Sequence, residues 1–276
     1  MRNVFTIGLC LTFFVLSRAQ ERTKINYGYN DRAGNYFEVK KDTRLYYEMY
    51  GEGEPILMLH GGVYGYINEF EFFINALSKN YRVICLATRG HVKSDIGQEP
   101  FTYDQRAKDA HGLMEHLGIE RARVIGFSDG GYAAYTLAAQ YPEKVKQMVV
   151  IGAGDMPQGS GVNYGYSKEK LMKEAENYFK GRLAHMPEPD CWGQSLQWLN
   201  ALYENEAVSR KTFEKISCPV LIMAGDKDEY SAPETLLKAH EWIKESQLSI
   251  IPGCGHVVFY CNWNAVWASV EPFLKK

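Results

Sequence analysis

The chain has 276 residues, 46% of them hydrophobic, enough for one domain to bury a full core without help from disulfides or a structural metal. Its 31 Lys and Arg stand against 33 Asp and Glu, and no basic run breaks the balance. That excludes the electrostatic surface needed for nucleic acid or an anionic membrane.

Residues 1–19 read as a secretory signal peptide: a positively charged start at Arg2, an apolar run from Val4 to Leu16, and small residues at Ser17 and Ala19 before the cleavage point. The run is short of the roughly 20 residues that span a bilayer, so no stable membrane insertion is expected after cleavage. The protein is expected to be exported, periplasmic or secreted. Residues 20–35 are polar and read as an N-terminal arm.

From residue 36 the chain alternates strand-like and helix-like stretches. Tyr36–Val39 and Leu45–Tyr50 read as an antiparallel pair. The fully apolar run Pro55–Leu59 suits a central strand covered on both faces, and strands recur at Val83–Leu86, Val124–Phe127, Val145–Ile151 and Val220–Met223, with another near Leu248–Ile251. Amphipathic stretches lie between them: Glu69–Ser78, Asp109–Leu117 and Pro233–Ile243, with Trp263–Leu274 last. This rhythm predicts an α/β fold, a mostly parallel central sheet with helices on both faces, formed by residues 36–153 and 214–276. Residues 154–213 break it. They hold no clear strand, many aromatics and two helical stretches, Lys168–Lys180 and Cys191–Tyr203. So long an insertion at a strand's carboxyl end predicts a helical lid.

Three segments carry chemistry. Gly126-Phe127-Ser128-Asp129-Gly130-Gly131 follows an apolar strand and opens a helix, the context in which G-x-S-x-G presents a serine nucleophile on a strained turn. A serine hydroxyl needs a base held by a third group. The strand ending at Gly225 opens into Asp226-Lys227-Asp228-Glu229, and the strand at Ile250-Ile251 leads to Gly255-His256. All three place polar residues at strand C-terminal ends, in the order Ser, Asp, His.

With His60-Gly61-Gly62 and Arg89-Gly90-His91-Val92-Lys93-Ser94-Asp95, these segments resemble the α/β-hydrolase fold superfamily, of the serine esterase and aminoacyl-ester hydrolase type, from about Tyr36 to the C-terminus. Val92 stands where that family's turn carries glycine. The resemblance implies Ser128 as nucleophile and His256 as base. It implies Asp228 as the acid, three residues after Gly225, with Asp226 and then Glu229 behind it. The oxyanion hole would use the backbone N–H groups of Gly62 and Asp129. A carboxylate at Asp129, beside the nucleophile, would pair with a cationic acyl group and favour amino-acid esters; its alternative is a bond to the loop backbone. Tyr64 would line the acyl pocket or pack against the lid.

No Cys/His spacing suits zinc, and no cofactor is expected. Without Cys10 five cysteines remain, so at least one is unpaired within the chain; Cys254 and Cys261 flank His256 and could pair. The function expected is acyl-enzyme hydrolysis of a small or medium carboxylic ester. Amide cleavage of the proline iminopeptidase type, carbon–carbon bond hydrolysis and a non-turnover small-molecule receptor are the alternatives.

Overall fold

The computed structural model describes residues 25–40 and 42–276; the expected signal peptide lies outside them. Eight strands form one sheet: β1 (Gly34–Lys40), β2 (Thr43–Tyr50), β3 (Glu54–Leu59), β4 (Tyr81–Leu86), β5 (Ala122–Phe127), β6 (Val145–Ile151), β7 (Val220–Gly225) and β8 (Ser246–Ile251). Their order is β1-β2-β4-β3-β5-β6-β7-β8. The first three in that order pair antiparallel, and from β4 to β8 every pairing is parallel.

The helices are α1 (Glu71–Leu77), α2 (Tyr103–His116), α3 (Asp129–Gln140), α4 (Lys168–Leu183), α5 (Trp192–Asn205), α6 (Arg210–Phe213), α7 (Pro233–Trp242), α8 (Val258–Cys261) and α9 (Trp263–Leu274). Strand alternation sorts the core onto two faces. Leu57, Val124, Val150 and Ile222 pack with residues of α2, α3 and α7, such as Ala107, Ala134 and Leu236. Met58, Ile125, Val149 and Leu221 pack with Phe73 of α1, Phe259 of α8 and Val266 of α9. Helices thus cover both faces, as the apolar runs predict.

Between β6 and β7 the insertion carries α4, α5 and α6. Leu171, Phe179, Leu196 and Leu199 join the first of the two cores. Its α4 kinks at Ala175, where φ is −150° and ψ is 60°. The N-terminal arm is shorter than the polar composition suggests, because β1 already begins at Gly34. Residues of the arm are tied down: Gly28 and Asn30 donate backbone N–H bonds to the two carboxylate oxygens of Glu48, at 2.7 and 2.9 Å.

The turn after β4 keeps a glycine-like backbone although Val92 occupies it. Val92 has φ 48° and is buried, a costly conformation for a β-branched residue. Neighbouring bonds hold it there: Arg89 grips Asp109 of α2 through two bonds at 2.7 and 2.8 Å, and Ser94 Oγ donates to the Ala87 carbonyl at 2.8 Å.

Candidate active site

Four of the parallel strands, β3 and β5 on one side of β6, and β7 and β8 on the other, deliver the site from their carboxyl ends. Strand β3 ends at the His60-Gly61-Gly62 loop, β5 at Ser128, β7 at the turn holding Asp228, and β8 at the loop holding His256. Such strand ends form the crevice where open α/β sheets bind ligands.

Ser128 has φ 53° and ψ −116°, the strained backbone that its motif implies. The tightness has a steric cause. A Cβ on Gly130 would lie 2.0 Å from the Leu59 carbonyl oxygen, and one on Gly126 would lie 2.4 Å from that of Gly130. Only glycines let β5, the turn and α3 pack this closely.

Ser128 Oγ lies 2.8 Å from His256 Nε2, and His256 Nδ1 lies 2.9 Å from each carboxylate oxygen of Asp228. Asp228 is buried, and its Oδ1 also accepts the backbone N–H groups of Tyr230 and Ser231, both at 2.9 Å. Asp226 and Glu229 are exposed and, among the described residues, make no hydrogen bond or ion pair with the histidine. The imidazole rests between the rings of Phe127 and Tyr230, each 4.9 Å away. A disulfide joins Cys254 to Cys261 and so closes the loop that carries His256. Cys85, Cys191 and Cys218 are free.

Gly62 lies next to the start of α3: a Cβ placed on it would be 3.8 Å from that of Asp129. The first N–H groups of a helix have no intrahelical acceptor, which leaves the Asp129 N–H at the start of α3 beside the nucleophile. The loop below is rigidly seated. His60 Nδ1 donates to the Gly61 carbonyl at 2.7 Å, leaving Nε2 to accept the Thr88 N–H at 3.0 Å. Burial holds this imidazole neutral, with its pKa lowered to about 3.

The Asp129 side chain differs from expectation. It is buried against Arg106 of α2, with 2.7 Å between Oδ2 and Nη1, and both its oxygens are enclosed. The residue borders the cavity, but its carboxylate makes no hydrogen bond to the loop backbone and its charge is answered by a guanidinium. Burial still raises its pKa. Nothing in the sequence marks Arg106 as that partner, because it stands within an ordinary amphipathic helix.

A cavity of about 750 Å³ opens over Ser128 and His256. Its walls are rich in tyrosine: Tyr64, Tyr164, Tyr166, Tyr178, Tyr203 and Tyr230. Tyr64 does both things the sequence left open. It lines the cavity, and it meets α4 by stacking on Tyr178 and donating to Glu174 at 2.7 Å. Sequence reasoning missed Glu69, which lines this cavity from the helical turn before α1, and Arg182, which bonds the Val63 and Gly65 carbonyls of the loop beside it.

Residues 54–190 match the family described as alpha/beta hydrolase fold. The chain is 28% identical over 266 residues to the 2-hydroxy-6-oxononadienedioate/2-hydroxy-6-oxononatrienedioate hydrolase 2 of Pseudomonas putida, covering 86% of this chain and 91% of that protein. It is 26% identical over 226 residues to the human serine hydrolase BPHL, covering 77% of each. The solved esterase of Exiguobacterium antarcticum superposes with a TM-score of 0.69 at 26% identity, over 88% of this chain and 100% of that one. Sheet order, strand-end site and these matches agree: the chain belongs to the α/β-hydrolase superfamily.

Proposed function

We propose that the protein is a serine hydrolase that cleaves a small or medium carboxylic ester through an acyl-enzyme intermediate. The carrying observation is the aligned set Ser128, His256 and Asp228, at 2.8 and 2.9 Å. In this reading Ser128 Oγ attacks the carbonyl carbon while its proton passes to His256 Nε2. Asp228 fixes the tautomer by accepting from Nδ1 and stabilises the imidazolium. The N–H groups of Gly62 and Asp129 receive the developing oxyanion. His256 then protonates the leaving group, and water, activated by the same histidine, attacks the acyl carbon to free Ser128.

The esterase and serine-hydrolase likenesses support this reading. Hydrolysis of a carbon–carbon bond is a second reading, favoured by the likeness to the Pseudomonas hydrolase. A preference for amino-acid esters would need an acid other than Asp129, whose charge Arg106 already answers. Residues 154–213 would act as the lid, since their aromatic side chains complete the cavity. Export belongs to the same proposal; the Cys254–Cys261 bond supports an oxidising compartment.

Steady-state turnover of a matched aryl ester, aryl amide and vinylogous diketone tests the choice. Turnover confined to the ester is expected. Turnover of the diketone alone would favour carbon–carbon hydrolysis, and binding without turnover would favour a receptor.

A further inference from the structure

The acidic and basic side chains at the cavity wall are Glu69, Asp129, Asp155, Lys238 and His256. Asp129 is answered by Arg106 at 2.7 Å, Asp155 by Lys238 at 3.4 Å, and His256 by Asp228 at 2.9 Å. Glu69 alone has no ion-pair partner among the described residues. Its Oε1 accepts the Gly61 N–H at 2.6 Å. Its other oxygen, Oε2, has no hydrogen-bond partner among the described residues and lies where a Cβ on Gly61 would meet it at 3.4 Å, beside the Phe127 ring that contacts His256.

The cation that acts on Glu69, Arg182, is occupied elsewhere: its guanidinium donates to the Val63 and Gly65 carbonyls and lies over the Tyr178 ring. From this arrangement we infer that Glu69 is a specificity residue for a cationic ammonium group on the substrate, held on the histidine side of the cavity. The inference rests on the reading of this cavity as the substrate site. Tyr178 and Tyr260 line the same wall, and aromatic faces add attraction for an ammonium ion.

Without a ligand, burial holds the Glu69 carboxyl well above the usual range, at about 8, with Arg182 opposing the rise and Asp129 adding to it. A bound cation must therefore displace a proton below that pH. Affinity should rise with pH and level off above about 8. The groups facing Glu69 are Arg182 and Tyr178 from α4, Asp129 from α3 and Tyr260 from α8, with Gly61 N–H below. His256 is the other ionisable group on this side.

Calorimetric titration of the full chain with choline and with dimethylbutanol, its uncharged isostere, tests the inference at pH 6.5 and 8.5. Neither probe is an ester, so the result does not depend on hydrolysis. Wild type should prefer choline, and the preference should grow on the order of tenfold between the two pH values. Glu69→Gln keeps an oxygen for Gly61 and should abolish both the preference and most of its pH dependence, with dimethylbutanol binding retained. Equal binding of the two probes by wild type, a pH-independent preference, or a preference that survives in Glu69→Gln and vanishes in Asp129→Asn would each overturn it. Because wild type alone can contradict the inference, a variant that fails to fold does not protect it.

Discussion

Arg182 of the inserted helix α4 donates to the carbonyl of Val63 at 2.7 Å, and its second nitrogen reaches the carbonyl of Gly65. One buried side chain of the insertion thereby fixes the backbone of the loop that presents Gly62. Replacing it by alanine leaves two carbonyls without their donors and frees the loop to shift. Small misplacements of an oxyanion donor are costly to rate. Arg182→Ala should lower kcat by about tenfold or more, with a smaller change in KM. Lysine should restore part of the loss. Unchanged kcat would show that the loop is held by other contacts.

The acid is tested by paired variants. Asp228→Asn should lower kcat/KM by about 10³–10⁴-fold, since an amide cannot hold the imidazole in the working tautomer or stabilise its cation. Asp226→Asn, changing an exposed side chain two residues away, should stay within about twofold. The reverse ranking in steady-state kinetics would move the acid to Asp226.

The Cys254–Cys261 bond closes a short loop around His256. Chain-entropy arguments put the stabilisation of so short a loop at roughly 2 kcal/mol. Cys261→Ser should lower Tm and also reduce kcat, because the loop that aims the imidazole is loosened. Equal Tm and kcat with and without a reductant would show that the bond contributes neither.

Burial keeps His60 neutral down to about 3 and lowers His91 well below its ordinary value. Unfolding frees both to protonate near 6.5. Their contribution to stability is therefore present above about 6.5 and is lost as pH falls below it. Glu69 acts in the opposite sense: raised to about 8, it contributes fully below about 4.5 and loses that contribution as pH rises through 8. Asp129 is raised in the same sense as Glu69, so the histidine contribution is read by difference: calorimetric Tm should fall more between pH 7 and 5 in wild type than in His60→Asn. An equal change in the two proteins would contradict neutral burial of the histidine.

Central strands such as Pro55–Leu59 were legible because a strand covered on both faces is apolar throughout. Each predicted segment from Pro55–Leu59 to Leu248–Ile251 became a strand, including Val145–Ile151 with Lys146 and Gln147 near its start. Asp228 was preferred to Asp226 by resemblance, and the structure gives the physical basis: only Asp228 is turned inward and bonded by the following backbone N–H groups. The crossing order β2-β4-β3 was not legible, because local patterns carry no information about which strands become neighbours. For the same reason Arg106 and Asp129, 23 positions apart, could not be paired in advance. Glu69 looked like the polar start of an amphipathic helix, and only the fold turns it toward the cavity.

The most direct test of the account is trapping of the covalent intermediate. Wild-type protein mixed with an activated aryl ester and quenched rapidly should show, by intact-mass and peptide analysis, one acyl group on Ser128, and Ser128→Ala should show none and lose at least about 10³-fold in rate. Steady turnover with no acyl group on Ser128 under any quench time, or turnover that survives in Ser128→Ala, would contradict it.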